Sequence, residues 1–124
     1  MKTAIVILSD PKPATDEATT RLLNALAMAN ECKRSGDTLE IAFAGTGTRW
    51  PEELVKLSHP ANALFNDLRE HVVGASRSCA ARNGATAGVE AAGLALIDDN
   101  RVPGTAGVLS LRRYYADDWN VAIF

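Results

Sequence analysis

A chain of 124 residues has the size of one domain and can bury a core without disulfides or a metal as staples. Hydrophobic residues make up 47% and charged residues 23%, ordinary for a globular protein, and 13 basic against 15 acidic residues leave a net charge of −2. There is no Lys/Arg stripe for nucleic acid and no apolar stretch near the roughly 20 residues of a membrane helix, so neither nucleic acid nor membrane is expected as a partner.

The first run, Lys2 to Leu8, is apolar and β-branched, as in a buried strand. It is followed by Asp10, Pro11 and Lys12 with no small-residue cleavage site, which reads as a strand and loop rather than a signal peptide. The protein is therefore expected in the cytoplasm, with its thiols reduced. A helix follows from about Glu17 to Ser35, with Leu22, Leu23, Leu26 and Ala29 at helical spacing and Gly36 as its cap. Leu39 to Ala44 is a second strand, running into Gly45-Thr46-Gly47-Thr48. Trp50-Pro51-Glu52-Glu53 has the Pro and acids of a helix start. After Pro60, the residues Ala61, Leu64, Phe65 and Leu68 mark another amphipathic helix.

His71 to Ser76 reads as a third strand. A helix begins close to Cys79 and ends near Asn83-Gly84. Leu94 to Ile97 is a fourth strand, with Pro103-Gly104 in the loop after it. Val108, Leu109, Leu111, Arg112 and Tyr115 have helical spacing, and Asn120 to Phe124 is a fifth strand. Strands alternating with helices predict an α/β domain with a mostly parallel five-stranded sheet covered by helices on both faces.

Ligands of open α/β sheets bind beyond the carboxyl ends of the strands. The segments expected there are Ser9-Asp10, Gly45 to Thr48, Ser76-Arg77-Ser78-Cys79 and Asp98-Asp99. Cys79 follows a strand near a helix start, where free N–H groups and the helix dipole favour a thiolate. Arg77 and Arg82 add positive charge, and Ser76 and Ser78 are hydroxyl neighbours able to hydrogen-bond a sulfur anion. The alternative is a buried cysteine used as a small apolar filler. Cys32 has that character, because it follows Met28 and Ala29 on a core-directed helix face.

Several other chemistries fail on spacing. A cysteine-phosphatase loop needs an Arg six positions after the Cys, where this chain has Ala85. A Cys-x-x-Cys redox pair needs a thiol where Ser76 stands. Gly45-Thr46-Gly47 lacks the rest of a dinucleotide fingerprint and is more simply read as a tight turn after a strand. His59 and His71 have no Cys or carboxylate pattern around them, so no metal site is expected, and no motif calls for a cofactor.

The segments KTAIVILSD, IAFAGTGTRW, VVGASRSCAAR and WNVAIF together resemble the DsrE/DsrF-like family over nearly the whole chain. The resemblance implies one domain spanning residues 1–124, with a three-layer flavodoxin-like α/β/α fold and assembly into homotrimers or hexamers. It also implies sulfur relay, with a persulfide on Cys79 passed between donor and acceptor proteins. Arg77 and Arg82 would support its charge, and Ser78 with the Gly45–Gly47 turn would shape the pocket. Some relatives carry a second cysteine where this chain has Ser76, so Cys79 would act as a lone carrier.

The other reading is a non-catalytic oligomeric module that binds a small anion or nucleotide-like ligand. Trp50, Tyr114, Tyr115 and Trp119 are its candidate pocket or interface aromatics, although core and edge packing is the simpler reading of them. The Ala-rich segments AAGLAL and ATAGVEAA are expected to expose flat apolar surface to other subunits.

Overall fold

The structure, a computed structural model, describes residues 1–124. Five strands form one sheet: β1 (Lys2–Ile7), β2 (Thr38–Phe43), β3 (Val72–Ser76), β4 (Leu96–Ile97) and β5 (Asn120–Ile123). Six α-helices lie between them: α1 (Asp16–Arg34), α2 (Trp50–Leu54), α3 (Asn62–Leu68), α4 (Arg77–Arg82), α5 (Thr86–Ala91) and α6 (Arg112–Ala116). The longest, α1, starts where Thr15 accepts a hydrogen bond from the Ala18 N–H at 3.1 Å. It ends at Gly36, whose φ of 76° lets Asp37 N–H reach back to Cys32 O at 3.0 Å. No helix is long and apolar enough to cross a membrane.

Every strand pair is parallel, and the order is β4-β3-β2-β1-β5. The layering is the flavodoxin-like three-layer α/β/α arrangement, although the strand order differs from flavodoxin's 2-1-3-4-5. This order decides where the helices go. The steps from β1 to β4 all advance in one direction, so right-handed crossovers send α1 through α5 to the same face. The step from β4 to β5 reverses across the sheet and sends residues 98–119 to the other face. Burial follows the same division. The first face holds a cluster of 20 buried residues, built from Ile5, Ile7, Ile41 and Phe43 of the sheet against Leu22, Leu26, Leu54 and Phe65 of the helices. The second face holds only Val6, Ala42 and Leu109 as a buried cluster. Helices were expected on both faces, and the second face carries one, the five-residue α6 within a long connection.

A polar network holds that thin layer down. Glu40, on the second face of β2, accepts hydrogen bonds from Tyr114 Oη and Arg113 Nη2, each at 3.0 Å. Arg113 Nε also pairs with Asp99 at 3.0 Å, and its guanidinium lies 4.2 Å from the Tyr114 ring centre.

Local readings that differ have identifiable causes. Val108 does not belong to a helix; it forms an antiparallel bridge with Asn100, and helix begins only at Arg112. His71 closes a short 3-10 turn, so the third strand starts at Val72. The fourth strand shortens to Leu96–Ile97. The Ala-rich segments turn their larger residues inward: Val89, Ala85 and Ala92 join the core and leave mainly small side chains outside. Trp50 and Tyr114 are buried, in line with the packing reading of the aromatics, and Tyr115 is 61% exposed.

Burial and the neighbouring Glu40 carboxylate hold the Tyr114 phenol well above its usual range. The unfolded chain therefore ionises this group first, and stability is lost as pH rises beyond about 10. Tyr114→Phe is expected to cost about 1 kcal/mol at neutral pH and to reduce the alkaline loss, as read by urea unfolding across a pH series.

Candidate functional site

All four candidate segments lie past the carboxyl ends of β1 to β4. The outgoing connections of β1, β2 and β3 pass to the first face, while that of β4 passes to the second. Adjacent strands whose connections part in this way leave a crevice between them, the topological switch point where α/β proteins bind ligands. In this chain it lies between β3 and β4.

Its first wall is α4, which begins directly after β3. Gly84, at φ 65°, ends this helix by letting Ala85 N–H bond Ala80 O at 2.8 Å, and buried Ala80 anchors the helix to the first-face core. The second wall is the loop after β4. Ser78, Cys79, Ala81 and Arg82 face Gly104, Thr105, Ala106 and Val108 across a groove of about 430 Å³. The loop is tied down where Ser78 N–H donates to Gly107 O at 3.0 Å. Gly107 has a φ of 97°, and a Cβ there would lie 2.8 Å from Asp98 O and Asp98 Cβ. Only glycine lets the loop fold back this closely.

Cys79 is half-buried at the groove, and Cys32 is buried in the core under α1. Burial pushes the Cys32 thiol up from its ordinary range, with Asp37 and Glu31 adding to the effect. No cluster of His, Cys, Asp or Glu has a metal-binding arrangement.

The sequence-predicted site residues divide into two groups. Ser78, Cys79 and Arg82 share the groove, and Arg82 makes no ion pair. Arg77 turns toward β4 and pairs with Asp98 at 2.9 Å, away from the groove lining. Ser76 is buried on the second face, where its Oγ accepts the Leu109 N–H at 2.9 Å. The dipole expected at Cys79 is that of a six-residue helix, and the Ser78 N–H is already bonded to Gly107.

Gly45, Thr46 and Gly47 do not enter the groove. They form a 3-10 turn running into α2, and their polar groups bond within the scaffold. Thr46 Oγ1 donates to Leu8 O at 2.9 Å, and Gly45 O accepts from Thr48 Oγ1 and Asn83 Nδ2. Gly47 packs so tightly that a Cβ would lie 2.1 Å from Ile7 O. Beside this turn, Arg49 pairs with Asp10 at 2.7 Å and donates to Asn83 O at 3.1 Å, while Trp50 Nε1 donates to Ser9 O at 2.7 Å. These bonds seal the edge between β1, β2 and α4.

Sequence reasoning missed the Gly104–Ala106 loop and Val108 as the opposite wall. The available signal was the Pro103-Gly104 turn, which marked a loop without saying where it lands. It also missed Asn83, whose Nδ2 joins Cys79 O to Gly45 O at 2.8 and 3.1 Å.

No family model matches the chain, and no curated protein matches it. The solved structure of BT1422, a conserved protein of unknown function from Bacteroides thetaiotaomicron, is similar over 99% of this chain and 95% of that chain. The TM-score is 0.61 at 14% sequence identity, a likeness of fold alone.

In native protein, a thiol reagent is expected to label Cys79 quickly and Cys32 only after unfolding; peptide mapping of the labelled chain checks this, with Cys79→Ser losing the fast site. Gly107→Ala is expected to lift the loop from Ser78 and Asp98. It should raise the Cys79 labelling rate and lower stability by about 1–3 kcal/mol, as followed by stopped-flow labelling and urea unfolding.

Proposed function

We propose that the protein is a sulfur carrier of the DsrE/DsrF type, holding a persulfide on Cys79 and passing the sulfur to a second protein. The observation that carries this reading is a half-buried thiol lining the β3–β4 crevice, with the chain's other thiol sealed in the core. In the loading step the Cys79 thiolate attacks the outer sulfur of a donor persulfide. The new S–S bond forms as the donor's S–S bond breaks, and the donor leaves as a thiolate. An acceptor thiolate reverses the exchange, so neither direction needs an external oxidant or reductant. Arg82 supports the negative charge on the outer sulfur, and Ser78, whose hydroxyl is buried without a hydrogen-bond partner, belongs to the same groove. Release by an internal disulfide is ruled out because position 76 is a serine and Cys32 belongs to the core cluster.

A second reading, an anion-binding module without covalent chemistry, is favoured by one observation: neither Arg82 nor Arg101, on either side of the 103–106 loop, has an acidic partner. Incubation with a persulfide donor followed by intact-mass analysis separates the two. Addition of one sulfur atom to the wild type and none to Cys79→Ser is expected for the carrier. An unmodified Cys79 under conditions that load a known carrier overturns that reading, and anion binding retained by Cys79→Ser then supports the module.

A further inference from the structure

The two edges of the sheet are finished differently. At one edge, β4 pairs for only two residues, and just past its end Asn100 forms an antiparallel bridge with Val108. At the other edge, β5 has no covering element. Phe124 N–H donates to Val6 O at 2.9 Å and Phe124 O accepts from Leu8 N–H at 2.7 Å. Parallel pairing repeats every two residues, so Ala122 and Asn120 also turn their backbone groups toward β1. The N–H and C=O groups of Val121 and Ile123 therefore point outward. Natural edge strands are normally blunted by Lys, Pro, a bulge or a cover. β5 reads Asn-Val-Ala-Ile, with no charge or proline, and Ile123 is 49% exposed.

From this edge we infer that β5 pairs with β5 of a second copy of the chain, antiparallel about a two-fold axis at Ala122, giving a continuous ten-stranded sheet. The pattern is self-complementary. With Ala122 opposite its equivalent, Val121 of each copy meets Ile123 of the other. Both members of each pair have outward backbone groups, so each pair forms two N–H···O bonds. The same register sets the Val121 and Ile123 side chains of both copies in one apolar strip on the thinly covered second face. No charged residue lies between Asn120 and Phe124, so the axis brings no like charges together within this stretch. The inference is independent of sulfur chemistry, because Cys79 lies at the β3–β4 crevice.

Sedimentation velocity over a concentration series, with residue-level hydrogen exchange at high concentration, tests it. The expected result is a monomer–dimer equilibrium with the Val121 and Ile123 amides protected in the dimer. Ile123→Pro removes an outward N–H and the Ile123 side chain from the strip but leaves the Ala122 and Phe124 bonds to β1 in place, so it is expected to give a folded monomer. Ile123→Lys is a second variant that keeps the amide but charges the strip, and it is expected to weaken association at least tenfold. Circular dichroism verifies that each variant is folded. A wild type that stays monomeric throughout, a trimer, or a dimer unchanged by both substitutions would overturn the proposal.

Discussion

Parallel strands are joined by right-handed crossovers, and the features of this molecule depend on the single reversal in their direction. Four strands advance one way and stack their helices on one face; the fifth returns to the far side of β1. The result is a lopsided domain. A large core lies under α1 to α5, and a single connection of some twenty residues covers the opposite face. That connection buries little apolar surface, so it relies on polar contacts: Glu40 with Tyr114 and Arg113, Arg113 with Asp99, and Leu109 N–H with Ser76. A hydrogen-bonded network is more sensitive to ionisation than an apolar contact, which makes Tyr114 a point where alkaline pH acts on this layer.

The same reversal opens the crevice. Elsewhere along the carboxyl edge the loops are stitched together by Arg49, Trp50, Thr46 and Asn83. Between β3 and β4 the chain parts to opposite faces, and the gap is bridged by the Ser78–Gly107 hydrogen bond and the Arg77–Asp98 ion pair. The ion pair is exposed on both sides and contributes little to stability, so the close fit of Gly107 against Asp98 is the more important constraint on groove width. Cys79 thus lines a groove across which few contacts run.

The likeness to BT1422 at 14% identity shows how little of this fold depends on particular residues. An all-parallel sheet needs β-branched runs, helical apolar spacing and glycine at a few tight positions. Many sequences satisfy those conditions. Chemistry depends on individual side chains, and a shared fold at this identity carries none of them over.

Much of the architecture was legible in the chain. The alternation of apolar runs and 3.6-residue patterns predicted the five strands, the long helix ending at Gly36 and the helix that carries Cys79, because local burial dictates local pattern. Cys32 and Cys79 were separated correctly into buried and half-buried thiols on the same grounds. The strand order, the uneven distribution of helices between the two faces, and the partition of Ser76, Arg77 and Arg82 among three directions were not legible. Each depends on which distant segment arrives opposite: Leu109 for Ser76, Asp98 for Arg77, and the Gly104–Ala106 loop for Arg82. Helical spacing alone likewise misread Val108, whose partner is Asn100. Cys79 stood out as a candidate from its neighbours in sequence, but the groove around it exists only because β4 and β5 lie on opposite sides of β1.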